Sequence, residues 1–452
     1  MARAKILELE ARLGQNSQNS SKPPSSDLPG VGPPKRNRKR GRKRGGQAGH
    51  KANFAPLPDH VDHVHESRAS TCRGCKADLS HGEVVKRRSH IVYKLPEIRP
   101  EITDFQECDV RCGNCGEVTP APVVAAVPSG SYDPSVQAMV AIVRGELKQS
   151  VRQTSAVMTR LMHVPMSTGM VAKAQAQVSE AMAPAFVEVL AYAQGYDRPH
   201  ADETSWPQDK KMAWLWVMVA GLVTVFRAGV SRGKETAKAL IGESFHGVLT
   251  TDRWASYGWV STKMRQLCWS HLKRDFKSFL DYGGNAKRIG ERLLCEKRKL
   301  FRAWKKVRDG TLSRAEFQLK MKPVRRRILA LLEEGRDLPG GGKVSGMCKQ
   351  ILKLQEALFT FVDVERVEPT NNAAERALRF AVLMRKGCFG SDSEKGSRFI
   401  ERFLTARATL RTQKRDLYTF LKETCTAALN GTSPPSLLPI PVSAAPALQA
   451  AA

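Results

Sequence analysis

The spacing of apolar residues along this chain changes from segment to segment, and each change marks an element. In residues 1–13, Ile6, Leu7, Leu9 and Leu13 stand among charges as a short helical scrap, too brief to be stable alone. Residues 133–190 read as helical: Val136, Met139, Val140 and Val143 recur at helical spacing, behind Asp133 as N-cap and Pro134 at the first helical position. Two further helices follow, "VRQTSAVMTRLM" and "MSTGMVAKAQAQVSEAM", with a short "HVP" break between them. From residue 195 the pattern changes to strands: "RPHADETSW", then "KMAWLWVMVAG" and "LVTVFRAGV" as an antiparallel hairpin, a helix "GKETAKALIGE", and strands "GVLTTD" and "RQLCWSHL". Residues 285–365 are helical, basic and free of strand signals. The chain then returns at "RVEPTNNAAERALRF", continues helical over 401–432, and ends in a Pro/Ala-rich tail, 433–452, with the composition of disorder.

With 452 residues, several folded units are expected. The net charge of +29 implies a strong positive field, which attracts polyanions. Much of that charge lies in an arm. Residues 14–34 are Ser-, Asn-, Pro- and Gly-rich, and then Lys35, Arg36, Arg38, Lys39, Arg40, Arg42, Lys43, Arg44 and Lys51 follow without a carboxylate among them. Such a run repels itself until phosphates neutralise it. Residues 1–52 thus read as a short helix, a disordered linker and a basic arm; the bland reading of the cationic run is a solubilising arm, and nucleic-acid contact is the reading favoured here. The longest apolar stretch, Ala213–Phe226, is too short to cross a bilayer, and the N-terminus has no apolar signal core. A soluble cytoplasmic protein associated with the nucleoid is expected, with cysteines kept reduced unless a metal takes them.

Residues 60–128 carry Cys72-x-x-Cys75 and Cys112-x-x-Cys115. Two such knuckles are what a tetrahedral structural Zn²⁺ site needs, four thiolates at about 2.3 Å. The spacer is longer than in an ordinary ribbon, and its alternating pieces "EVVKRRSHIVYKL" and "EITDFQECDV" predict an inserted sheet. Cys108 is a further candidate ligand, and reduced cysteines in a small β domain are the plain alternative. In residues 133–190 the helix pair is compatible with a helix-turn-helix presenting Ser167, Thr168, Lys173 and Gln175 to a groove, or with simple packing.

Three strands, a helix and further strands over 195–400 give the order of a ribonuclease H-like fold. Asp202 comes near the end of the first strand and Asp252 ends the strand "GVLTTD"; in that order the two strands are neighbours. Glu375 opens a later helix. Carboxylates so gathered would hold two divalent ions about 3.5–4 Å apart for phosphoryl transfer, and oxygen-only donors suit Mg²⁺ or Mn²⁺. Each acid has a structural alternative. Asn372 with Glu375 three positions on also reads as a helix cap and its reciprocal partner. Both aspartates could end strands for backbone hydrogen bonds, and Glu203 could replace Asp202, although strand alternation turns one of the pair away. His271, Lys273 and Arg274 read either as cations near a phosphate or as a solvated helix start. Arg376, Arg379, Arg385 and Lys386, on or after the Glu375 helix, are candidate backbone contacts. Trp206, Trp254 and Trp269 are either core aromatics or platforms for an unpaired base.

The segments "HADETSW", "GVLTTDRWASY", "CWSHLKRDF" and "VEPTNNAAERALRFAVLMRKGCFGSDSEKGSRFIERFLT" resemble transposases of the insertion sequence 66 family of bacterial insertion sequences. So do "NSQNSSKPPSSD", "RKRGGQAGHK" and the double CxxC. The resemblance implies a multidomain α+β protein: a zinc-binding domain and a helical DNA-binding segment ahead of a ribonuclease H-like core, which a helical insertion interrupts between the second Asp and the Glu. It makes Asp202, Asp252 and Glu375 the acidic triad of a DDE transposase acting on double-stranded DNA at element ends and target. The partners expected are copies of the same chain on DNA and accessory proteins of the same element, with no membrane. Rival readings are a ribonuclease H-like nuclease without strand transfer and a zinc-dependent DNA-binding regulator in which the acids are structural.

Overall fold

The computed structural model describes residues 58–439 apart from 123–126, 128, 129 and 341, together with residues 6, 9, 10, 13–16 and 19. The candidate DNA contacts Lys35, Arg36, Arg38, Lys39, Arg40, Arg42, Lys43 and Arg44, and Lys51 beside them, lie outside the described residues. The chain divides into two compact units, residues 29–98 and residues 1–28 with 99–452.

Each unit carries one cysteine knuckle, and the two are built alike. The Cys72 N–H donates to Ala77 O and the Lys76 N–H returns to Cys72 O; the Cys112 N–H donates to Glu117 O and the Gly116 N–H returns to Cys112 O. A bridge Thr71–Asp78 closes the first, and strands β1 (Val110–Arg111) and β2 (Val118–Thr119) close the second. The inserted sheet expected between the knuckles does not form: residues 83–109 have no ladder partner among the described residues. Val85, Val92, Leu95 and Ile102 are largely exposed there, so the alternating pattern has no face to bury and alternation alone does not make a sheet.

Helix α1 (Pro134–Ala141) starts as the sequence indicates, with the Asp133 carboxylate accepting the Val136 N–H and Pro134 at the first turn. Helices α2 (Val151–Arg160), α3 (Thr168–Ala181) and α4 (Ala183–Gln194) follow. Two residues assigned to a DNA-reading face have structural partners instead: Ser167 caps α3 through the Met170 N–H, and Gln175 accepts from Arg144 Nε at 2.8 Å. Val171, Ala174 and Val178 are buried under the other helices.

The larger unit is organised on a five-stranded sheet of order β5-β4-β3-β6-β7. Its strands are β3 (His200–Ser205), β4 (Trp214–Ala220), β5 (Val223–Gly229), β6 (Leu249–Thr251) and β7 (Arg265–Leu267). β3, β4 and β5 are antiparallel neighbours, whereas β6 runs parallel to β3 and β7 parallel to β6. Gly221, at φ 62°, lets β4 reverse into β5 in two residues. Helix α5 (Lys234–Ile241) connects β5 to β6. The segment "RQLCWSHL" is a strand only as far as Leu267; Trp269 already belongs to helix α6 (Trp269–Ser278).

Beyond α6 come helices α7 (Gly284–Arg308), α8 (Arg314–Arg336), α9 (Gly342–Leu352) and the short α10 (Thr360–Asp363), with a core of their own around Trp304, Phe317 and Phe361. The Trp304 and Phe361 rings meet edge to face at 5.4 Å. The chain then re-enters the sheet core as α11 (Asn372–Cys388), α12 (Glu394–Gln413) and α13 (Leu417–Leu429).

Helix α12 seals the β5 edge. An edge strand exposes alternate N–H groups, and on β5 these are matched by acceptors one helical turn apart. Thr409 Oγ1 takes the Thr224 N–H at 3.0 Å, Thr405 Oγ1 the Phe226 N–H at 2.9 Å and Glu401 Oε2 the Ala228 N–H at 2.8 Å. The tail expected to be disordered from 433 is docked at its start: Leu437 is buried, and Gln413 and Arg415 donate to Leu437 O and Ser436 O at 2.9 Å.

Candidate active site

Parallel pairing sets His200 beside Thr250. Two residues further along both strands stand Asp202, within β3, and Asp252, just past β6. Asp202 is thus mid-strand, opposite Val217 of β4, and not near the strand end as expected. Its Oδ1 accepts the Glu203 N–H at 2.9 Å, and Asp252 Oδ1 accepts the Trp254 N–H at 2.8 Å. Among the described residues no ion pair reaches either carboxylate. Arg265, almost fully buried, holds the Asp252 loop by donating to Asp252 O and Thr251 Oγ1 at 3.1 Å.

Glu375 reaches the same place from the first turn of α11. The capping arrangement expected there is not formed. Asn372 is already helical, the flanking residue is Asn371, and no side chain caps the helix. Asn371, completely buried, instead ties the helix start to the sheet: its Nδ2 donates to Ala201 O at 2.7 Å and its N–H to Cys268 Sγ at 3.1 Å. The helix carrying Glu375 is thereby fastened to the residue before Asp202.

Asp202 and Glu375 feel the neighbouring acids. Burial first, then the charges of Glu203, Asp252 and Glu375, hold Asp202 well above the usual carboxylate range. Burial also raises Glu375, with Asp252 adding to the rise and Arg274 and Arg376 opposing it. Like charges brought together in a poorly hydrated place push each other toward the neutral form, and a cation reverses that push.

Glu203 faces the other way. Its carboxylate accepts from Tyr257 Oη at 2.7 Å and from Arg232 Nε and Nη2 at 2.8 and 2.7 Å, so both oxygens are engaged. Glu203 also feels the Asp252 charge, but Tyr257 and Arg232 already occupy its oxygens, whereas among the described residues no ion pair reaches Asp202.

His271, on α6, lies with its Nδ1 3.5 Å from Glu375 Oε1, and both of these buried atoms lack a hydrogen-bond partner. Burial and then the charge of Arg274 push His271 down to about 4, which favours an uncharged imidazole beside Glu375. Ligand atoms of Cys268, His271 and Glu375 lie within 4.8 Å of one another. Burial raises the Cys268 thiol, which disfavours the thiolate a soft metal would need. Its sulfur serves as acceptor for Asn371.

The candidate phosphate contacts fare differently. Arg274 is half-buried, has no ion pair or hydrogen bond among the described residues, and is close enough to Glu375 to lower its pKa. Arg379 and Lys386 are exposed on α11. Arg385 is committed elsewhere, donating to Thr204 Oγ1 at 2.9 Å and Ser205 Oγ at 2.7 Å at the end of β3. Trp206 and Trp269 are core residues, whereas Trp254 is 38% exposed. At the knuckles, the N–H groups of Cys75 and Gly74 hold the Cys72 thiol below its ordinary value, and those of Cys115 and Asn114 do the same for Cys112. Backbone donors aimed at sulfur favour thiolate. Sequence reasoning missed Asn371, Cys268, Arg265 and the Glu203–Tyr257–Arg232 network; the adjacent "NN" before Glu375 was the available signal for the first.

The family model described as Transposase IS66 family matches residues 129–398, more than half of the chain, and the model of a family of unknown function, DUF6444, matches residues 1–55. The chain is also similar to the uncharacterized protein y4hP of Sinorhizobium fredii (strain NBRC 101917 / NGR234), 25% identical over 396 residues that cover 79% of this chain and 70% of that protein.

Proposed function

The chain belongs to the Transposase IS66 family, and we propose that it cuts DNA at insertion-sequence ends and joins the freed ends to target DNA, with Asp202, Asp252 and Glu375 as its catalytic acids on a ribonuclease H-like core. The observation that supports this reading is that Asp202 and Asp252 lie two residues past a matched pair on adjacent parallel strands, while the charges of Asp252 and Glu375 raise Asp202 and the charge of Asp252 raises Glu375. The strand order, three antiparallel strands followed by two parallel to the first, supports the ribonuclease H-like assignment.

The donor set fits hard divalent cations. Asp202 and Asp252 each use one oxygen on a backbone N–H, and Glu375 Oε1 is buried without a partner. Mg²⁺ or Mn²⁺ ions held by Asp202, Asp252 and Glu375 would supply activation of the attacking oxygen and stabilisation of the leaving one. The protein's own groups do the rest. Asn371 fixes where Glu375 stands relative to β3, neutral His271 fills the space beside its carboxylate, and Arg274 offers a cation to a phosphate oxygen. Water opens the phosphodiester at the element end, and the 3′-hydroxyl so released displaces at a target phosphodiester. The carboxylates position and are not nucleophiles, so no covalent protein intermediate forms. Within each knuckle, Cys72 with Cys75 and Cys112 with Cys115, the backbone donors around the first sulfur favour the thiolate form that a structural Zn²⁺ would take. DNA is the proposed partner, with exposed Arg379 and Lys386 and the cationic arm contacting its backbone.

The test is a plasmid carrying the element ends, incubated with protein and Mg²⁺ and assayed for both cut and joined products. Joined product is expected. Cutting without joining would indicate a nuclease, and binding with neither product, unaltered in Asp202→Ala, would indicate a regulator.

A further inference from the structure

Trp254 stands two residues past Asp252 and is held in place at several points. Its N–H donates to Asp252 Oδ1 at 2.8 Å and its indole Nε1 to Arg232 O at 3.2 Å. The Arg232 guanidinium lies 3.6 Å from the Trp254 ring centroid and 4.6 Å from that of Trp214, while both its Nε and Nη2 donate to the buried Glu203 carboxylate. Ser256 also donates to Arg232 O. The indole is therefore a preset surface: its main chain is tied to the neighbouring acid, its Nε1 to Arg232 O, and one side rests on a cation that is itself fixed.

A tryptophan needed only to cover Arg232 would be expected to bury itself, as Trp206, Trp216 and Trp269 do at 1%, 0% and 0% exposure. Trp254 remains 38% exposed beside the acidic cluster. An aromatic face that is rigid before binding costs little entropy to use, and base–aromatic stacking is tolerant of base identity because every base has a π-face.

We propose that Trp254 is a stacking platform for an unpaired base next to the phosphate being cut, so that the site takes a frayed or single-stranded DNA end in preference to a closed duplex. Arg232 braces the ring and adds positive charge behind it. The proposal rests on the catalytic reading of Asp252 for where the DNA lies, but not on catalysis itself.

The experiment measures binding in EDTA, where no cutting occurs, using a forked duplex with an unpaired thymidine arm and a blunt duplex of the same paired sequence. Wild type is expected to bind the forked probe more tightly. Trp254→Ala should weaken that binding about ten-fold, as loss of one stacked base would, and change blunt-duplex binding less than two-fold; Trp254→Phe should keep most of the preference. A 2-aminopurine in the unpaired arm should be quenched by wild type and by Trp254→Phe, but not by Trp254→Leu of similar stability. Equal loss on both probes, no loss on either, or quenching that survives in Trp254→Leu would overturn the proposal. Failure of cutting in Mg²⁺ with this preference intact would instead count against the catalytic reading alone.

Discussion

One sheet carries two opposite solutions to the problem of polar groups at its margins. Along β5, each outward N–H from Thr224, Phe226 and Ala228 meets an acceptor supplied by Thr409, Thr405 or Glu401 of α12. Where β3 and β6 run side by side the opposite holds: the charges of Asp252 and Glu375 press on Asp202, and His271 Nδ1, Asn371 Oδ1 and Glu375 Oε1 are buried without a hydrogen-bond partner. A buried polar group left unpaired costs about 1–3 kcal/mol. The difference teaches where to look for function. The helix that covers β5 contributes stability, and on the proposed catalytic reading the cluster at β3 and β6 gives some of it up to stay ready for a charged ligand.

Removing an acid breaks the comparison most severely. Asp202→Ala, Asp252→Ala and Glu375→Ala should each lower Mg²⁺-dependent cutting of an end-bearing plasmid on the order of a thousand-fold or more, followed on gels as initial rates. Comparable cutting by any of them would remove that residue from the site. On the other margin, Thr405→Val takes the acceptor from the Phe226 N–H and should cost about 1–3 kcal/mol, read as a lowered midpoint in calorimetry, with the cutting rate per folded molecule unchanged.

Asp202→Asn should have the reverse profile, inactive but more stable. A carboxyl whose folded pKa is raised favours folding fully only below its unfolded value, and the benefit is lost as pH rises through the folded value. The metal-free wild type should therefore match Asp202→Asn near pH 4 and fall behind it as pH rises, by about 2–4 °C for each kcal/mol of relieved repulsion. Adding Mg²⁺ should close the gap by raising the wild-type midpoint alone. A variant that melts below wild type at pH 7 without metal would contradict the repulsion. The smallest effect is expected from the knuckles: Cys72→Ser and Cys112→Ser should each lower the bound zinc, measured by elemental analysis, while the melting of the sheet stays where it was.

What could be read from the sequence was what local pattern encodes. The strand-helix alternation from residue 195, the two-residue turn at Gly221 and the capped start of α1 all follow from neighbours in the chain. What could not be read depends on distant partners. Asn371 looks like half of a helix cap until its side chain is found on Ala201, 170 residues away. Arg385 reads as a basic surface residue, yet it serves the end of β3, 181 residues away at Thr204. Between the knuckles the failure runs the other way: an alternating pattern was present, but residues 83–109 find no ladder partner among the described residues.

Whether the three carboxylates form one cation site is tested most directly by Mn²⁺ titration followed by electron paramagnetic resonance, comparing wild type with Asp202→Asn, Asp252→Asn and Glu375→Gln. Binding by the wild type that is weakened in all three variants is the predicted result. Unchanged Mn²⁺ binding in any one of them would show that its carboxylate stands outside the site and would contradict the shared role proposed for the three.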